Sequence, residues 1–219
     1  MATITYRIST PNRHEYLFQV DLDKQQTQTC PENMPDWIRL ENNKCTNCPL
    51  DSKEILHCPA ALSIHKIAAQ FHHDFSITRV DVCVDTIDRS YVKNTDLQTC
   101  LRSLFGLVMA TSGCPVLSRM RAMAVFHLPF SNLDETIFRI VSTYLVKQYL
   151  AMQHGEDNPD WELKGIEDYY HELGVVNQHL LKRLRQASRR DANINAIQQF
   201  ISISGNFSIT EGKKTRHCF

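Results

Sequence analysis

The segment between residues 23 and 58 constrains this chain most, because its apolar residues follow neither the period of a helix nor that of a strand. Segments of this length without regular structure are uncommon inside a compact domain. Four of the chain's eight cysteines lie in the segment: Cys30, Cys45, Cys48 and Cys58. We therefore expect the cysteines to organise this loop.

The residues around the loop predict a small β-sheet covered by one helix. Residues 4–8 and 14–22 alternate apolar and polar side chains on either side of a turn, which is typical of a hairpin. Residues 60–71 carry apolar side chains at helical spacing, and residues 79–85 alternate again as a third strand. A short fourth strand at Tyr91-Val92 can extend the sheet.

After Thr95 the chain has helical periodicity almost to its end. We expect helices over residues 95–110, 115–126, 132–154, 161–173, 175–187 and 191–203. The predicted fold class is therefore α+β. An N-terminal ββαβ portion (1–94) carries the cysteine-rich loop and packs on a C-terminal bundle of five or six helices (95–203), followed by a polar tail (204–219). The two portions can also form one continuous domain.

The spacing of three cysteines in the loop predicts a metal site. Cys45 and Cys48 form a C-x2-C pair, which lets two thiolates reach one ion from a single turn, and Cys58 follows after nine further residues. We expect Cys114 as the fourth ligand, with Cys30 as the alternative. Four thiolates suit Zn²⁺, and a [4Fe-4S] cluster is the alternative cofactor.

Cysteine is followed by proline more often than composition predicts. Eight cysteines and eight prolines in 219 positions give about 0.3 expected Cys-Pro pairs, whereas the chain has four. In two of them, Cys58-Pro59 and Cys114-Pro115, a helical pattern follows at once, and proline is favoured at the first position of a helix. Because the helix dipole stabilises an anion there, we expect a lowered thiol pKa at Cys58 and Cys114.

Several segments resemble a family of uncharacterised bacterial proteins. The similarity is carried by Asn47-Cys48-Pro49-Leu50, Cys58-Pro59-Ala60-Ala61, Ser112-Gly113-Cys114-Pro115-Val116-Leu117, Phe126-His127-Leu128-Pro129-Phe130 and Asp191-Ala192-Asn193. The resemblance covers most of the chain and implies a bacterial source and a stand-alone protein, with no known activity. It includes Cys114 but no segment around Cys30, which favours Cys114 as the fourth ligand.

Charge and hydropathy narrow the expected location of the protein. The 24 basic and 24 acidic residues balance, which argues against a protein that coats nucleic acid or anionic lipid. The N-terminus lacks the apolar core of a signal peptide, and the most apolar stretch, residues 104–110, is too short to span a bilayer. We therefore expect a cytoplasmic protein without a membrane segment and with reduced thiols.

The sequence thus predicts a cytoplasmic metal-binding protein with a mainly structural site and a helical surface for a protein partner or a second copy. The first alternative is an iron–sulfur or reactive-thiol enzyme or redox sensor that uses Cys114. A Cys114–His127 dyad is excluded if residues 115–126 form one helix, because the helix would separate the two by roughly 20 Å. The second alternative is a nucleic-acid-binding regulator that uses the basic residues between Arg183 and Arg190.

Overall fold

The N-terminal half forms a four-stranded antiparallel sheet. A computed structural model describes residues 2–23, 34–155 and 158–206, with no side-chain description at 205 and 206. The strands are β1 (Thr3–Ser9), β2 (Glu15–Asp21), β3 (Arg79–Asp85) and β4 (Ser90–Asp96), in the spatial order β2-β1-β3-β4. The alternation expected from the sequence buries one face of the sheet, and β4 is longer than the predicted dipeptide.

The register of the sheet places apolar side chains opposite one another. Tyr6 pairs with Phe18 on β2 and with Val84 on β3. Because side chains on opposed positions share a face, Tyr6 and Val84 are both fully buried under the helices. β4 is an edge strand, and its residues at 92–94 are exposed, which is why alternation alone does not reveal its length.

Six α-helices complete the described residues, so the predicted α+β class is confirmed. They are α1 (Pro59–Gln70), α2 (Leu97–Ala110), α3 (Arg121–Val125), α4 (Leu133–Gln153), α5 (Lys164–Ala187) and α6 (Ala192–Asn206), with 3-10 segments at Asp36–Ile38 and Leu117–Met120. None of the helices described is long and apolar enough to cross a membrane.

The helix starts follow the local chemistry of their first residues. The Asp96 carboxylate accepts a hydrogen bond from the Thr99 N–H at 2.9 Å and caps α2. Asn132 and Glu135 form a capping box at the start of α4, as their spacing predicts. Cys58 is the N-cap of α1, with Pro59 in its first turn.

Three of the predicted helices differ clearly from the structure. Residues 115–126 do not form one α-helix, because the chain makes a turn after Pro115, then the 3-10 segment, then the short α3. Conversely, the helices predicted over 161–173 and 175–187 are one helix, α5. Gly174 does not break it, because the glycine lies against α6, where a Cβ atom would come within 3.3 Å of the Ser204 hydroxyl. The glycine thus allows close packing of α5 on α6.

Candidate metal site

Four cysteines that are distant in sequence line one small cavity. They are the expected ligands Cys45, Cys48, Cys58 and Cys114, and the cavity between them measures about 20 Å³. Apolar side chains of α5, Val176 and Leu180, form the opposite wall. The alternative ligand, Cys30, lies outside the described residues.

Each thiol is positioned by a different piece of local structure. The Cys48 N–H donates to the Cys45 carbonyl at 3.1 Å, which closes the C-x2-C turn. Cys58 is held where α1 begins. Cys114 lies in the turn after α2, directly after Gly113. Gly113 has a φ of +81°, a left-handed conformation that favours glycine. The Cys114 carbonyl then accepts from the Ser118 N–H at 2.9 Å.

The thiols at Cys45 and Cys114 favour the protonated form. Burial raises the pKa of Cys45 to about 12, with a further contribution from Cys58 and Cys114, while Arg183 opposes the shift. Burial also raises the pKa of Cys114 to about 11, although the N–H groups of Leu117 and Val116 bond to its sulfur and lower it. The two thiols therefore lie within electrostatic range of the rest of the cluster.

The expectation of a lowered thiol pKa at Cys114 is wrong. A regular helix does not begin at Pro115, so the two N–H groups that reach the sulfur do not outweigh its burial. A buried thiol with a raised pKa is a poor nucleophile at neutral pH. The raised pKa argues against Cys114 as the nucleophile of the reactive-thiol alternative.

A buried arginine lies beside the thiols and was not expected there. Arg183 lines the cavity, is 1% exposed, and donates hydrogen bonds to the carbonyl oxygens of Trp37 at 2.7 Å, Arg39 at 2.6 Å and Leu40 at 2.9 Å. These acceptors are neutral, and none of the ion pairs within the described ranges includes Arg183. Its Nε atom is buried without a hydrogen-bond partner.

Arg183 also corrects the hypothesis of a basic surface. The sequence placed Arg183 in an exposed cluster with the residues up to Arg190, but its side chain points into the core of the protein. Its position three residues after Leu180 and next to Leu184 puts it on the apolar face of α5, which is the sequence signal that identifies it. Arg183 therefore contributes no charge to the surface that the nucleic-acid alternative needs.

Hydrogen bonds hold the cysteine loop, the segment that carries Cys45 and Cys48 and ends at Cys58, in place. The Leu40 N–H donates to the Leu56 carbonyl at 2.9 Å, and the Cys58 N–H donates to the Ile38 carbonyl at 2.8 Å. The Asn47 side-chain amide donates to the Glu172 carbonyl of α5 at 3.1 Å. The loop therefore packs against α5, and the spacing of the cysteines does not predict this contact.

Among the described residues, no group of three or more His, Cys, Asp and Glu side chains is arranged so that it could hold a metal ion. The four thiols line one cavity but do not form such a group. His127, which the sequence offered as a base for Cys114, instead lies within 2.6 Å of the Tyr6 hydroxyl through its Nε2 atom. Cys100 is fully buried in α2, and Cys83 lies on β3.

Comparison with known proteins gives one family. A family model described as "Domain of unknown function (DUF6901)" matches residues 4–210. No curated protein matches the chain. No solved structure matches it either.

Proposed function

The chain belongs to this family of domains of unknown function, so its role has to be argued from its own residues, and we propose that it is a metal-binding protein with a structural site. Cys45, Cys48, Cys58 and Cys114 would hold one Zn²⁺ ion. A site with four protein ligands leaves no open position for a substrate, which is typical of structural zinc.

The observation that carries this proposal is the buried Arg183 beside the four thiols. A buried cation is costly unless it faces negative charge, and within the described residues it meets only neutral carbonyls. Four thiolates around one Zn²⁺ carry a net charge of about −2. Zinc binding would therefore give Arg183 the counter-charge that it lacks, and Arg183 would favour the thiolate forms.

Zinc binding would have to displace the protons that burial favours at Cys45 and Cys114. A coordinating thiol is deprotonated outright, because the metal charge outweighs the cost of burial. Zinc–sulfur bonds are about 2.3 Å long, so ligation requires the four side chains to turn inward from their present positions. The backbone N–H groups of Leu117 and Val116 lower the pKa of one of these thiols, Cys114, and so favour its thiolate.

The size of the cavity favours zinc over the [4Fe-4S] alternative. A space of about 20 Å³ is close to the minimum that holds a single water molecule. One ion fits such a space, whereas a cluster of eight atoms needs the surrounding segments to move apart. We therefore retain Zn²⁺ as the proposed cofactor, in a compartment that keeps the thiols reduced.

The proposed ion would connect four parts of the fold. Cys45 and Cys48 belong to the loop, Cys58 starts α1, and Cys114 follows α2, while Arg183 comes from α5. Residues of the β portion and of the helical portion would thus share one ion. The expected consequence is that metal removal lowers the cooperativity of unfolding in both portions.

The decisive experiment measures metal content and thermal unfolding of protein purified without oxygen and without a metal-binding tag. We expect one zinc per chain, no visible absorption, and loss of cooperative unfolding with a chelator. Cys45→Ser should lose the zinc and lower the melting temperature, whereas Cys83→Ser, a thiol on β3, should retain both.

Two other results would replace the proposal. Iron with sulfide and a brown colour would assign the site to the iron–sulfur alternative. If Cys45→Ser leaves both the metal content and the melting temperature unchanged, the four cysteines do not form a metal site.

A second part of the proposal concerns a protein partner on α4. Only Ile137 and Ile140 of this helix are buried, whereas Val146, Tyr149 and Leu150 are each at least half exposed. Neighbouring apolar side chains on one helix favour contact with another protein. Sedimentation of the protein and of a Val146→Glu variant tests whether this face pairs with a second copy. A monomer in both cases would leave only a different protein as its partner.

A further inference from the structure

A second and larger cavity lies within the helical portion. It has a volume of about 150 Å³ and is lined by residues of α2, α3, α4, α5 and α6. A cavity of about this volume in another protein accommodates benzene. The space is therefore large enough for an organic molecule and is separate from the cavity between the cysteines.

Two arginines supply the charge of this cavity. Arg102 and Arg139 are the charged residues among its described lining, which includes no carboxylate. Arg102 donates from Nη2 to the Ser131 carbonyl at 2.9 Å, and Arg139 donates from Nη2 to the carbonyls of Met123 at 3.0 Å and Phe126 at 2.6 Å. Within the described chain, the Nε and Nη1 groups of both arginines make no hydrogen bond.

The nearest carboxylates serve other functions. Asp96 is close enough to Arg102, and Glu135 to Arg139, to influence the guanidinium groups electrostatically. Asp96, however, accepts from the N–H of Thr99, and Glu135 accepts from the N–H of Asn132, in their helix caps. The two arginines therefore form no ion pair with a side chain of the described residues.

An asparagine adds an independent indication of a ligand. Asn177 of α5 lines the cavity and is 6% exposed, yet its side-chain amide has no hydrogen-bond partner in the part of the chain that the structure describes. A side-chain amide that faces a cavity without a protein partner can donate to a molecule bound there. A bound molecule with acceptor oxygens would satisfy it.

The remaining walls are apolar and adaptable. They include three of the chain's six methionines, Met109, Met120 and Met123, together with Leu107 and Ile140. Methionine side chains are flexible and adjust to the shape of a ligand. The cavity thus combines donors for an anion with space for an apolar group.

We propose that this cavity binds a small carboxylate whose apolar group is about the size of a benzene ring. The carboxylate accepts hydrogen bonds from Arg102, Arg139 and Asn177, because Nε and Nη1 of both arginines and the Asn177 amide have no acceptor among the described residues. The apolar group lies against the methionines, Leu107 and Ile140. This assignment is independent of the metal proposal and uses none of its residues.

Titration calorimetry with the unmodified protein tests the charge requirement directly. Benzoate and hexanoate are the probes, and benzyl alcohol and benzylamine are their neutral and cationic counterparts. We expect benzoate to bind at least about tenfold more tightly than benzyl alcohol, as loss of a charge-assisted hydrogen bond implies, and benzylamine not to bind. Equal affinity for the alcohol, or no binding of either carboxylate at millimolar concentration, would overturn the assignment.

Variants test the named donors. Asn177→Leu and Arg102→Met should each weaken benzoate binding by about 10- to 100-fold. Arg121→Met is the matched control, because Arg121 also donates to a backbone carbonyl, that of Leu22, but does not line the cavity. Asn177→Leu keeps the branched shape of the side chain and removes an unpaired amide, so it should fold even if Arg102→Met does not. Unchanged affinity in Asn177→Leu contradicts the assignment of its amide as a donor.

Discussion

The two cavities each contain arginine without a carboxylate, but they differ in how the guanidinium groups are held. Arg183 is 1% exposed and donates three hydrogen bonds to carbonyls of the cysteine loop, so it is fixed inside the fold. Arg102 and Arg139 are partly exposed, and each retains N–H groups that bond to none of the described residues.

This difference distinguishes an arginine that is proposed to stabilise the fold from two arginines that are proposed to bind a ligand. Around Arg183 the groups that can become anions are the four thiols of the protein itself. Around Arg102 and Arg139 the described lining offers no anion, so the proposed counter-charge is that of a bound molecule. An arginine that lines a cavity without a carboxylate therefore supports a different proposal in the two places, depending on its burial and on what surrounds it.

The largest expected effect is that of Arg183→Met. It removes a buried cation and the donor to three loop carbonyls, which should cost about 3–5 kcal/mol of stability in the zinc-loaded protein. The loss should be smaller after chelation, because the thiols are then neutral. Urea unfolding with and without chelator measures both values. The control is Arg185→Met, two residues later on α5 and exposed, which should change stability by less than about 0.5 kcal/mol. Equal losses with and without metal would break the link between Arg183 and the thiols.

The second prediction concerns the sign of the pH dependence at the cysteine cavity. In the metal-free protein, the folded-state pKa of Cys45 is raised from 9.0 to about 12 and that of Cys114 to about 11. The stabilisation is therefore complete below pH 9 and is lost as the pH rises through these values. In the zinc-loaded protein the thiolates are the folded form, so stability is lost as the pH falls.

Urea midpoints at pH 5.5, 7 and 10, with and without chelator, measure these opposite slopes. Cys114→Ser should flatten the alkaline loss in the chelated protein. If the chelated and untreated proteins have the same pH profile, no metal occupies the thiols.

Much of the fold is predictable from local pattern. Alternation identifies β1, β2 and β3, and the caps at Asp96 and at Asn132 with Glu135 locate the starts of α2 and α4. These features depend on neighbours in sequence, so the sequence contains them. The break in the helix after Pro115 cannot be predicted in this way, because a 3-10 segment and an α-helix place apolar residues at similar spacing over a few turns.

The candidate sites are predictable only in part, for a related reason. The spacing of Cys45, Cys48 and Cys58 indicates a shared turn, and all four predicted cysteines do line one cavity. Arg183 was expected at the surface because charged side chains usually lie there, although the neighbouring Leu180 and Leu184 place it on the buried face of α5. The larger cavity has no motif at all, because its donors come from three helices that only tertiary packing brings together.

The third prediction distinguishes the larger cavity by its response to acid. Burial, aided by Arg139, lowers the pKa of His127 from 6.5 to about 3. The folded state therefore favours neutral His127, and its contribution to stability is complete above pH 6.5 and declines as the pH falls towards 3. One such group gives at most about 1.4 kcal/mol per pH unit. Urea midpoints from pH 7 to 4.5 measure the slope, and His127→Gln should reduce it. An unchanged slope in that variant would assign the acid loss to other groups.

The smallest expected effect is on stability in Asn177→Leu, and its sign is informative. The Asn177 amide has no hydrogen-bond partner among the described residues and lines a mostly apolar cavity, whereas leucine has the same branched shape and can pack against the apolar walls. The variant should therefore be more stable than the unmodified protein by about 1 kcal/mol in the absence of ligand. Urea unfolding with and without benzoate tests this, because the ligand should stabilise the unmodified protein and not the variant. If Asn177 lowers stability without benzoate and raises it with benzoate, its role is to bind the ligand. If Asn177→Leu instead destabilises the protein without benzoate, the amide has a structural role like that of Arg183.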